Sequence, residues 1–198
     1  MIVIFDFDGT IHKTELVYKE ALYQTLTDLG IDPKTVDYKK YIGMSPKACW
    51  DDILKDDSDK DYLINLNGKR IREKLEKTGA LYENSYETLE YLKGKYDLYI
   101  LSKCLRAYMT EARRVFGLDR YFTKYLVGED FGFIDKYKIL RQTVKEDYLM
   151  VGDRKEDILA AYENKQKSVF ASYGYGKPQE GELADYKIDD IRQLMELL

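Results

Sequence analysis

Four aspartates follow two short apolar runs and form the centre of the candidate chemistry. Asp6 and Asp8 follow the first run, and Asp153 and Asp157 follow a later run of similar length. Crowded carboxylates repel one another unless a cation or a shared proton stabilises them. Oxygen ligands of this kind suit Mg²⁺, which binds one or two protein carboxylates together with water and phosphate. These residues therefore predict a magnesium-dependent phosphate site.

Five short apolar runs predict the strands that must position these residues. Each run has the length of a strand and is continuous rather than alternating. Such runs are typical of a parallel sheet that is covered by helices on both faces. Helix-like stretches separate the later runs, so the sequence predicts an α/β fold with a doubly wound parallel sheet. The runs cover 2–5, 98–101, 125–127, 148–151 and 168–171.

Ser102 and Lys103 follow the second of these runs directly. Ligands of an open parallel sheet bind at the carboxyl ends of its strands, where the strand order reverses. We therefore expect Ser102, Lys103 and the four aspartates to meet at one edge of the sheet.

The first two predicted strands are separated by a long segment with a helical pattern. One crossover needs only a dozen or so residues, so this segment predicts a separate insert. Its predicted helices cover 15–29, 45–54 and 58–77. We predict a small α-helical cap domain at 15–81, inserted into a core domain formed by 1–14 and 82–198.

The composition excludes several classes of chemistry. The single histidine, His12, cannot form a zinc site with three histidines or a metalloprotease HExxH motif. Two distant cysteines, Cys49 and Cys104, form neither a disulfide framework nor a zinc knuckle. A net charge of −4 gives no support to nucleic-acid binding. GxGxxG and P-loop motifs do not occur, which excludes dinucleotide and Walker-type sites.

The apolar segments are too short for membrane insertion. No run approaches the roughly 20 residues of a membrane-spanning helix, and no basic stretch precedes the apolar residues that follow Met1. We expect a cytoplasmic protein with reduced cysteines that does not associate with membranes. The sequence makes no prediction of its oligomeric state.

Three segments in order resemble the motifs of the haloacid dehalogenase superfamily. Asp6-Phe7-Asp8-Gly9-Thr10 resembles the first motif, DxDGT after an apolar strand. The segment 100–102 is similar to the second motif, and 151–157 to the fourth, GDxxxD. The insert lies where the family has a helical cap, and 173–176 resembles a loop of phosphoglycolate-phosphatase-like members. The resemblance implies a Rossmann-like core with a cap after the first motif.

The resemblance implies a role for each motif residue. Asp6 would be the nucleophile that forms an aspartyl-phosphate, and Asp8 would be the general acid and then the base for water. Ser102 would donate a hydrogen bond to the phosphoryl oxygens. The implied Mg²⁺ site consists of Asp6, the backbone carbonyl of Asp8, and Asp153, with Asp157 orienting it. The residues expected to contact the substrate are Gly9, Thr10 and Lys103.

The third motif of the family supplies a lysine that neutralises charge on the phosphoryl group. This sequence departs from the common Lys-Pro pattern and offers two candidates, Lys136 and Lys138. We predict Lys136, because Ile139 and Leu140 then follow on one face of a helix. Lys138 is the alternative.

Several other reactive side chains have structural explanations. We expect His12 to be a partly exposed loop residue and Cys104 to be a buried thiol. Cys49 and Trp50 are expected to pack within the insert. For Arg154, ion pairing at the surface is the expected role.

These observations predict a Mg²⁺-dependent phosphatase that hydrolyses a small phosphorylated metabolite through an aspartyl-phosphate. The resemblance favours phosphoglycolate as substrate, and nucleoside monophosphates or sugar phosphates fit nearly as well. One alternative is a phosphosugar mutase that resembles β-phosphoglucomutase. Another is a phospho-accepting signalling or binding module without turnover, against which the helical insert and the intact Asp8 argue.

Overall fold

The computed structural model describes residues 1–55 and 59–198, and its centre is a parallel β-sheet. The strands are β1 (Ile2–Phe5), β2 (Asp97–Ser102), β3 (Lys124–Val127), β4 (Tyr148–Gly152), β5 (Lys167–Ala171) and β6 (Tyr186–Ile188). They are arranged in the order β3-β2-β1-β4-β5-β6, and all neighbouring strands are parallel. The predicted doubly wound α/β class is confirmed.

The sixth strand is absent from the sequence-based prediction. It has only three residues, of which Tyr186 and Lys187 are exposed and Ile188 is buried. A strand of this kind contains no continuous apolar run. Its place is determined by backbone pairing with β5, in which Ala171 lies opposite Ile188.

Helices connect the strands and form the insert. They are α1 (Glu15–Asp28), α2 (Pro46–Ile53), α3 (Lys60–Thr78), α4 (Ser85–Lys93), α5 (Arg106–Phe116), α6 (Lys136–Thr143), α7 (Lys155–Tyr162) and α8 (Leu194–Leu197). The predicted start of the third helix, Ser58, lies outside the described residues. Within 1–55 and 59–198, no helix combines the length and the apolar character that crossing a membrane requires.

Alternation along β1 divides the core into two apolar clusters. Val3 and Phe5 belong to the cluster that includes residues of α4, α5 and α8, while Ile2 and Ile4 belong to the cluster with α6 and α7. Successive side chains of a strand point to opposite faces of a sheet. Because both faces are covered by helices, all four residues of β1 are buried.

The insert has an apolar cluster of its own. Side chains from α1, α2 and α3 pack together there, and α1 and α3 make the most extensive contact within the insert. Cys49 and Trp50 are buried in this cluster, as the sequence predicted. The buried members are Leu22, Leu26, Tyr41, Cys49, Trp50, Leu54 and Leu63.

Two short backbone segments connect the insert to the sheet. Lys13 N–H donates to the carbonyl oxygen of Ala80 at 2.9 Å, and Tyr82 N–H donates to that of Ile11 at 2.8 Å. His12 and Leu81 form an antiparallel bridge between these two bonds. The chain therefore leaves the core and returns to it through one pair of hydrogen-bonded segments.

The ends of β1, β2 and β4 lie side by side at the carboxyl edge of the sheet. Phe5, the last residue of β1, is paired with Ile100 of β2 on one side and with Val151 of β4 on the other. The strand order reverses at β1, which is the position where open α/β sheets bind their ligands.

Candidate active site

Three buried carboxylates and one buried ammonium meet beyond the ends of β1 and β4. Carboxylate oxygens of Asp6, Asp153 and Asp157 lie within 4.8 Å of one another. The Lys136 Nζ donates to Asp6 Oδ1 and to Asp157 Oδ1, both at 2.6 Å. These four residues are at most 4% exposed. The structure therefore places Lys136 inside the group of aspartates that the sequence singled out.

The start of α6 positions this lysine. Lys136 is the first residue of α6, and Ile139 and Leu140 of the same helix are buried against the sheet. Lys138 is exposed instead, and its Nζ lies 2.8 Å from Asp135 Oδ2. Of the two candidate lysines, the structure brings only Lys136 to Asp6, while its role in catalysis stays a prediction.

Burial and charge act in opposite directions on this group. Burial lowers the pKa of Lys136, but the charges of Asp157 and Asp6 outweigh this effect and raise its pKa above the usual value. Lys136 is therefore an ammonium. Burial raises the pKa of Asp6 well above its ordinary value, and the Lys136 charge compensates for this only in part. Three carboxylates facing one ammonium leave an excess of two negative charges, which favours a shared proton or a divalent cation.

The loops after β4 and β5 hold Asp153 and Asp157. Asp153 Oδ2 accepts from the backbone N–H of Tyr175 at 2.7 Å, and Asp153 Oδ1 accepts from Thr10 Oγ1 at 3.3 Å. Asp157 Oδ2 accepts from the backbone N–H of Arg154 at 2.9 Å. The predicted contact of Thr10 with substrate stays a prediction, because the structure shows its hydroxyl against Asp153.

Gly9 allows the first loop to approach Asp153 closely. Its φ is +92°, and a Cβ at this position would lie 2.5 Å from Asp153 Oδ2. A side chain at Gly9 would therefore be strained and would displace a carboxylate. The predicted role of Gly9 in binding substrate is untested.

The donor set of the three aspartates fits Mg²⁺. All the donors are carboxylate oxygens, which hard divalent cations prefer. The excess of negative charge in a buried site is the second feature that fits a dication. We therefore identify Asp6, Asp153 and Asp157 as the candidate ligands, and the predicted carbonyl ligand of Asp8 stays a prediction.

Mg²⁺ should stabilise the protein more at about pH 8 than at about pH 5.5. Burial and the charge of Asp157 raise the pKa of Asp153 to about 7, above the ordinary 3.8. Between these two pKa values, Asp153 holds a proton in the folded metal-free protein and has lost it in the unfolded chain. The stability that this bound proton contributes is lost as pH rises from about 4 to 7. At low pH, Mg²⁺ must displace this proton from Asp153 in order to bind, so it stabilises the protein less than at high pH. Melting temperatures with and without Mg²⁺ at both pH values measure the effect, and the pH dependence should shrink in Asp153→Asn.

Asp8 occupies a second, hydroxyl-rich environment next to the carboxylate cluster. Its Oδ1 accepts from Thr14 Oγ1 and Tyr108 Oη, both at 2.8 Å, and its Oδ2 accepts from Ser102 Oγ at 3.1 Å. Burial raises the pKa of Asp8, but His12, Thr14 and Tyr108 outweigh burial and lower it below the ordinary value. Asp6 and Asp8, two residues apart, thus have pKa values that are shifted in opposite directions.

His12 is completely buried, so the expectation of a partly exposed loop residue was wrong. Its ring stacks on Phe7 with centroids 5.1 Å apart. His12 Nδ1 lies 2.9 Å from Thr14 Oγ1 and 3.0 Å from Tyr108 Oη. The shorter contact of each hydroxyl is with Asp8 Oδ1, at 2.8 Å; with both hydroxyl protons directed there, the tautomer protonated at Nδ1 fits the site, its one proton shared between the two oxygens. His12 therefore holds the two groups that position Asp8.

Tyr108 is, besides Thr14, a site residue that sequence reasoning missed. It lies on α5, is buried, and belongs to no motif of the family pattern. One signal was available in the sequence. Its position five residues after Lys103, as the third residue of the next helix, predicts that it lies above the carboxyl edge of the sheet.

Tyr108→Phe should lower kcat by about tenfold to a hundredfold, because a hydrogen bond to a charged group contributes about 1.5–3 kcal/mol. Loss of this donor also raises the pKa of Asp8, so the acidic limb of the kcat profile should move to higher pH. Tyr96→Phe is the matched control, since its hydroxyl donates to the Leu198 carbonyl instead. An unchanged rate and pH profile in Tyr108→Phe would refute this role.

Ser102 is the last residue of β2, and Lys103 follows it. Ser102 is buried and contacts Asp8, while the Lys103 Nζ lies 2.8 Å from Glu156 Oε2. Cys104, next in sequence, is buried as expected, and burial raises the pKa of its thiol. The roles of Ser102 and Lys103 in binding phosphate stay predictions.

Arg154 connects the site to the insert instead of only forming an ion pair at the surface. Its Nη2 donates to the backbone carbonyls of Lys39 and Ile42, at 2.8 and 2.9 Å. Its backbone N–H contacts Asp157. A single residue of the core therefore contacts both the carboxylate cluster and the insert.

Comparison with known proteins agrees with this geometry. The family model of haloacid dehalogenase-like hydrolases matches residues 3–171. The chain belongs to this family. This haloacid dehalogenase-like hydrolase is 28% identical to a phosphoglycolate phosphatase of Aquifex aeolicus, over 100% of this chain and 96% of the relative. It is also 28% identical to a 5'-nucleotidase of Pseudomonas aeruginosa, over 90% of this chain and 85% of the relative.

The structural comparison supports the fold of the haloacid dehalogenase-like hydrolase. A putative phosphoglycolate phosphatase from Lactobacillus plantarum superposes with a TM-score of 0.85 at 16% identity, covering 100% of this chain and 98% of that chain. Together with the family match, this confirms the resemblance inferred from the motifs.

Proposed function

We propose that this hydrolase is a Mg²⁺-dependent phosphatase that cleaves a small phosphomonoester through an aspartyl-phosphate. The observation that carries the proposal is the placement of Asp6. It is a buried carboxylate that touches a buried ammonium, and it belongs to the cluster with Asp153 and Asp157. Asp8, with its own hydrogen-bond donors, lies two residues further along the chain.

In the first step an Asp6 carboxylate oxygen attacks phosphorus. The new bond joins Asp6 to phosphorus, and the bond from phosphorus to the alcohol oxygen breaks. Asp8 donates a proton to the departing oxygen. In the resting site the pKa of Asp8 is low, so Asp8 is ionised. The negative phosphoryl group of a bound substrate raises the pKa of Asp8, and Asp8 then takes up the proton that it later donates.

In the second step water attacks the aspartyl-phosphate. Asp8, now ionised, accepts a proton from the water as the bond between phosphorus and Asp6 breaks. Phosphate leaves and Asp6 is restored. Lys136 and Ser102 would provide positive charge and a hydroxyl donor to the phosphoryl oxygens in both steps. This scheme splits one difficult hydrolysis into two easier displacements.

The three aspartates would hold Mg²⁺, which would neutralise the excess charge of the carboxylates and of the phosphoryl group when bound. With the excess negative charge neutralised, the Asp6 carboxyl would stay ionised, as a nucleophile must be. Asp157 fixes the arrangement through its contacts with Lys136 and with the Arg154 backbone.

We further propose that residues 15–81 act as a cap over this site. The insert has its own apolar cluster, the chain enters and leaves it through one pair of segments, and Arg154 binds its backbone. Glu15 N–H donates to Tyr175 Oη at 2.9 Å, which adds a contact next to the loop that holds Asp153. A cap in this place would exclude water while the phosphoryl group is transferred.

Phosphate release from a panel of phosphomonoesters tests the proposed function. We expect turnover that requires Mg²⁺ and stops when EDTA is present in excess over the metal. Trapping the reaction with acid should leave phosphate attached to the protein, at Asp6. Turnover that persists in excess EDTA, or the absence of turnover with every ester, would refute the proposal.

A further inference from the structure

A cavity above Asp8 separates the insert from the loop that follows β2. Asp8, Thr14 and Tyr108 line one end of it, and residues of α2 and α3 line the opposite wall. A phosphoryl group at Asp6 would place its leaving group beside Asp8, and thus in this cavity. The character of its wall therefore determines which alcohols the enzyme accepts.

The wall of this cavity is mainly apolar. Side chains of the insert and one leucine of the core provide the surface. Trp50 is fully buried in the cluster of the insert, so this part of the wall belongs to the insert's own apolar core. The apolar side chains include Ile42, Met44, Trp50, Ile64, Ile71 and Leu105.

The tyrosine hydroxyls on the wall already have partners within the protein. Tyr41 Oη donates to Asp52 Oδ2 at 2.8 Å, and Tyr18 Oη lies 3.2 Å from Cys49 Sγ. Tyr108 Oη donates to Asp8. These hydroxyls are therefore not free donors for a second anionic group of the substrate.

Positive charge on the wall is also committed. Among the described residues that line the cavity, Lys103 is the one cation and Asp8 the one anion. The Lys103 ammonium pairs with the half-exposed Glu156 at 2.8 Å and stands beside Asp8, where the phosphoryl group would bind. Residues 56–58, which lie outside the described ranges, contain no basic side chain. A carboxylate or a second phosphate in this cavity would be desolvated without a counter-ion, which is costly.

We propose that the substrate is a phosphomonoester whose alcohol is uncharged and apolar, such as an alkyl or aryl alcohol. This inference rests on the proposed phosphatase function and narrows its substrate class. It excludes phosphoglycolate, bisphosphates and pyrophosphate as preferred substrates, because each has a second anionic group. Burial of each additional methylene in the cavity should raise kcat/KM by about fourfold until the cavity is full.

The test compares esters that differ in charge and not in size. Isobutyl phosphate ends in a branched alkyl group, and phosphoglycolate ends in a carboxylate of similar shape. Ethyl, propyl and butyl phosphates form a separate series of increasing chain length. We expect kcat/KM to rise along the series and to be at least about tenfold higher for isobutyl phosphate than for phosphoglycolate. Equal or faster hydrolysis of phosphoglycolate would overturn this inference alone. Absence of turnover with every ester would overturn the proposed function as well.

A charge placed on the wall provides a second, independent test. Ile64 is partly exposed and lines the cavity, so Ile64→Lys should raise the ratio of kcat/KM for phosphoglycolate over isobutyl phosphate by about tenfold. Ile53 is also partly exposed and packs on the same cluster, but it does not line the cavity. Ile53→Lys is therefore the matched control and should leave the ratio unchanged. Equal ratios in the two variants would contradict the proposal.

Discussion

Asp6→Asn should lower kcat by about 10³-fold or more, because an amide cannot form the aspartyl-phosphate. The substitution keeps the shape of the side chain, so the loss reports chemistry and not folding. It also removes one negative charge from a cluster that has an excess of two. The melting temperature of the metal-free variant should therefore be no lower than that of the wild type.

Asp147→Asn is the matched control for Asp6. Asp147 directly precedes β4, is exposed and lies at the opposite edge of the sheet from the site. Its replacement should leave kcat within about twofold, as surface substitutions usually do. An active Asp6→Asn protein, or acid-stable phosphate on a residue other than Asp6, would refute the assignment of the nucleophile.

Lys136→Met should damage both stability and catalysis. Removing the ammonium leaves Asp6 and Asp157 buried and without a cation, and breaking a buried ion pair costs about 3–5 kcal/mol. For a chain of this size the melting temperature should fall by roughly 2–4 °C per kcal/mol. The fall should be smaller when Mg²⁺ is present, since a cation supplies part of the lost charge. We expect kcat to fall by about 10²–10³-fold, as for loss of a charge-stabilising donor.

Lys138→Met decides between the two lysines of the third motif. Lys138 is on the same helix but exposed, and it pairs only with Asp135 at the surface. Its replacement should change stability by no more than about 0.5–1 kcal/mol and should leave kcat nearly unchanged. If Lys138→Met were the more damaging substitution, the assignment of Lys136 would be wrong.

The strand-end residues were predictable because their spacing follows from the topology of a parallel sheet. Asp6 and Ser102 come directly after buried apolar runs, Asp153 follows another run after one glycine, and the structure brings those runs side by side at β1. The choice of Lys136 followed from a helical face that Ile139 and Leu140 define. In both cases local pattern and tertiary position agree.

Other features depended on contacts that no local pattern encodes. The burial of His12 results from Phe7, Phe116 and Tyr108, and the latter two lie about a hundred residues away. Tyr108 reaches Asp8 because α5 packs in the same apolar cluster as β1 and β2. The strand β6 exists through pairing with β5 and has little apolar content of its own. Long-range packing, rather than sequence periodicity, determines these features.

The paired segments at 11–13 and 80–82 have a consequence for how this enzyme can change during evolution. Because the two ends of the insert are hydrogen-bonded to each other, the core requires only that the chain leave and return at adjacent points. The entropy of closing such a loop grows slowly with its length. Val17 and Leu75 of the insert pack in the core cluster, so insertions, deletions or replacements elsewhere in the intervening helices would leave the sheet and its aspartates in place. Selectivity for the leaving group can diverge while the phosphoryl chemistry is inherited unchanged.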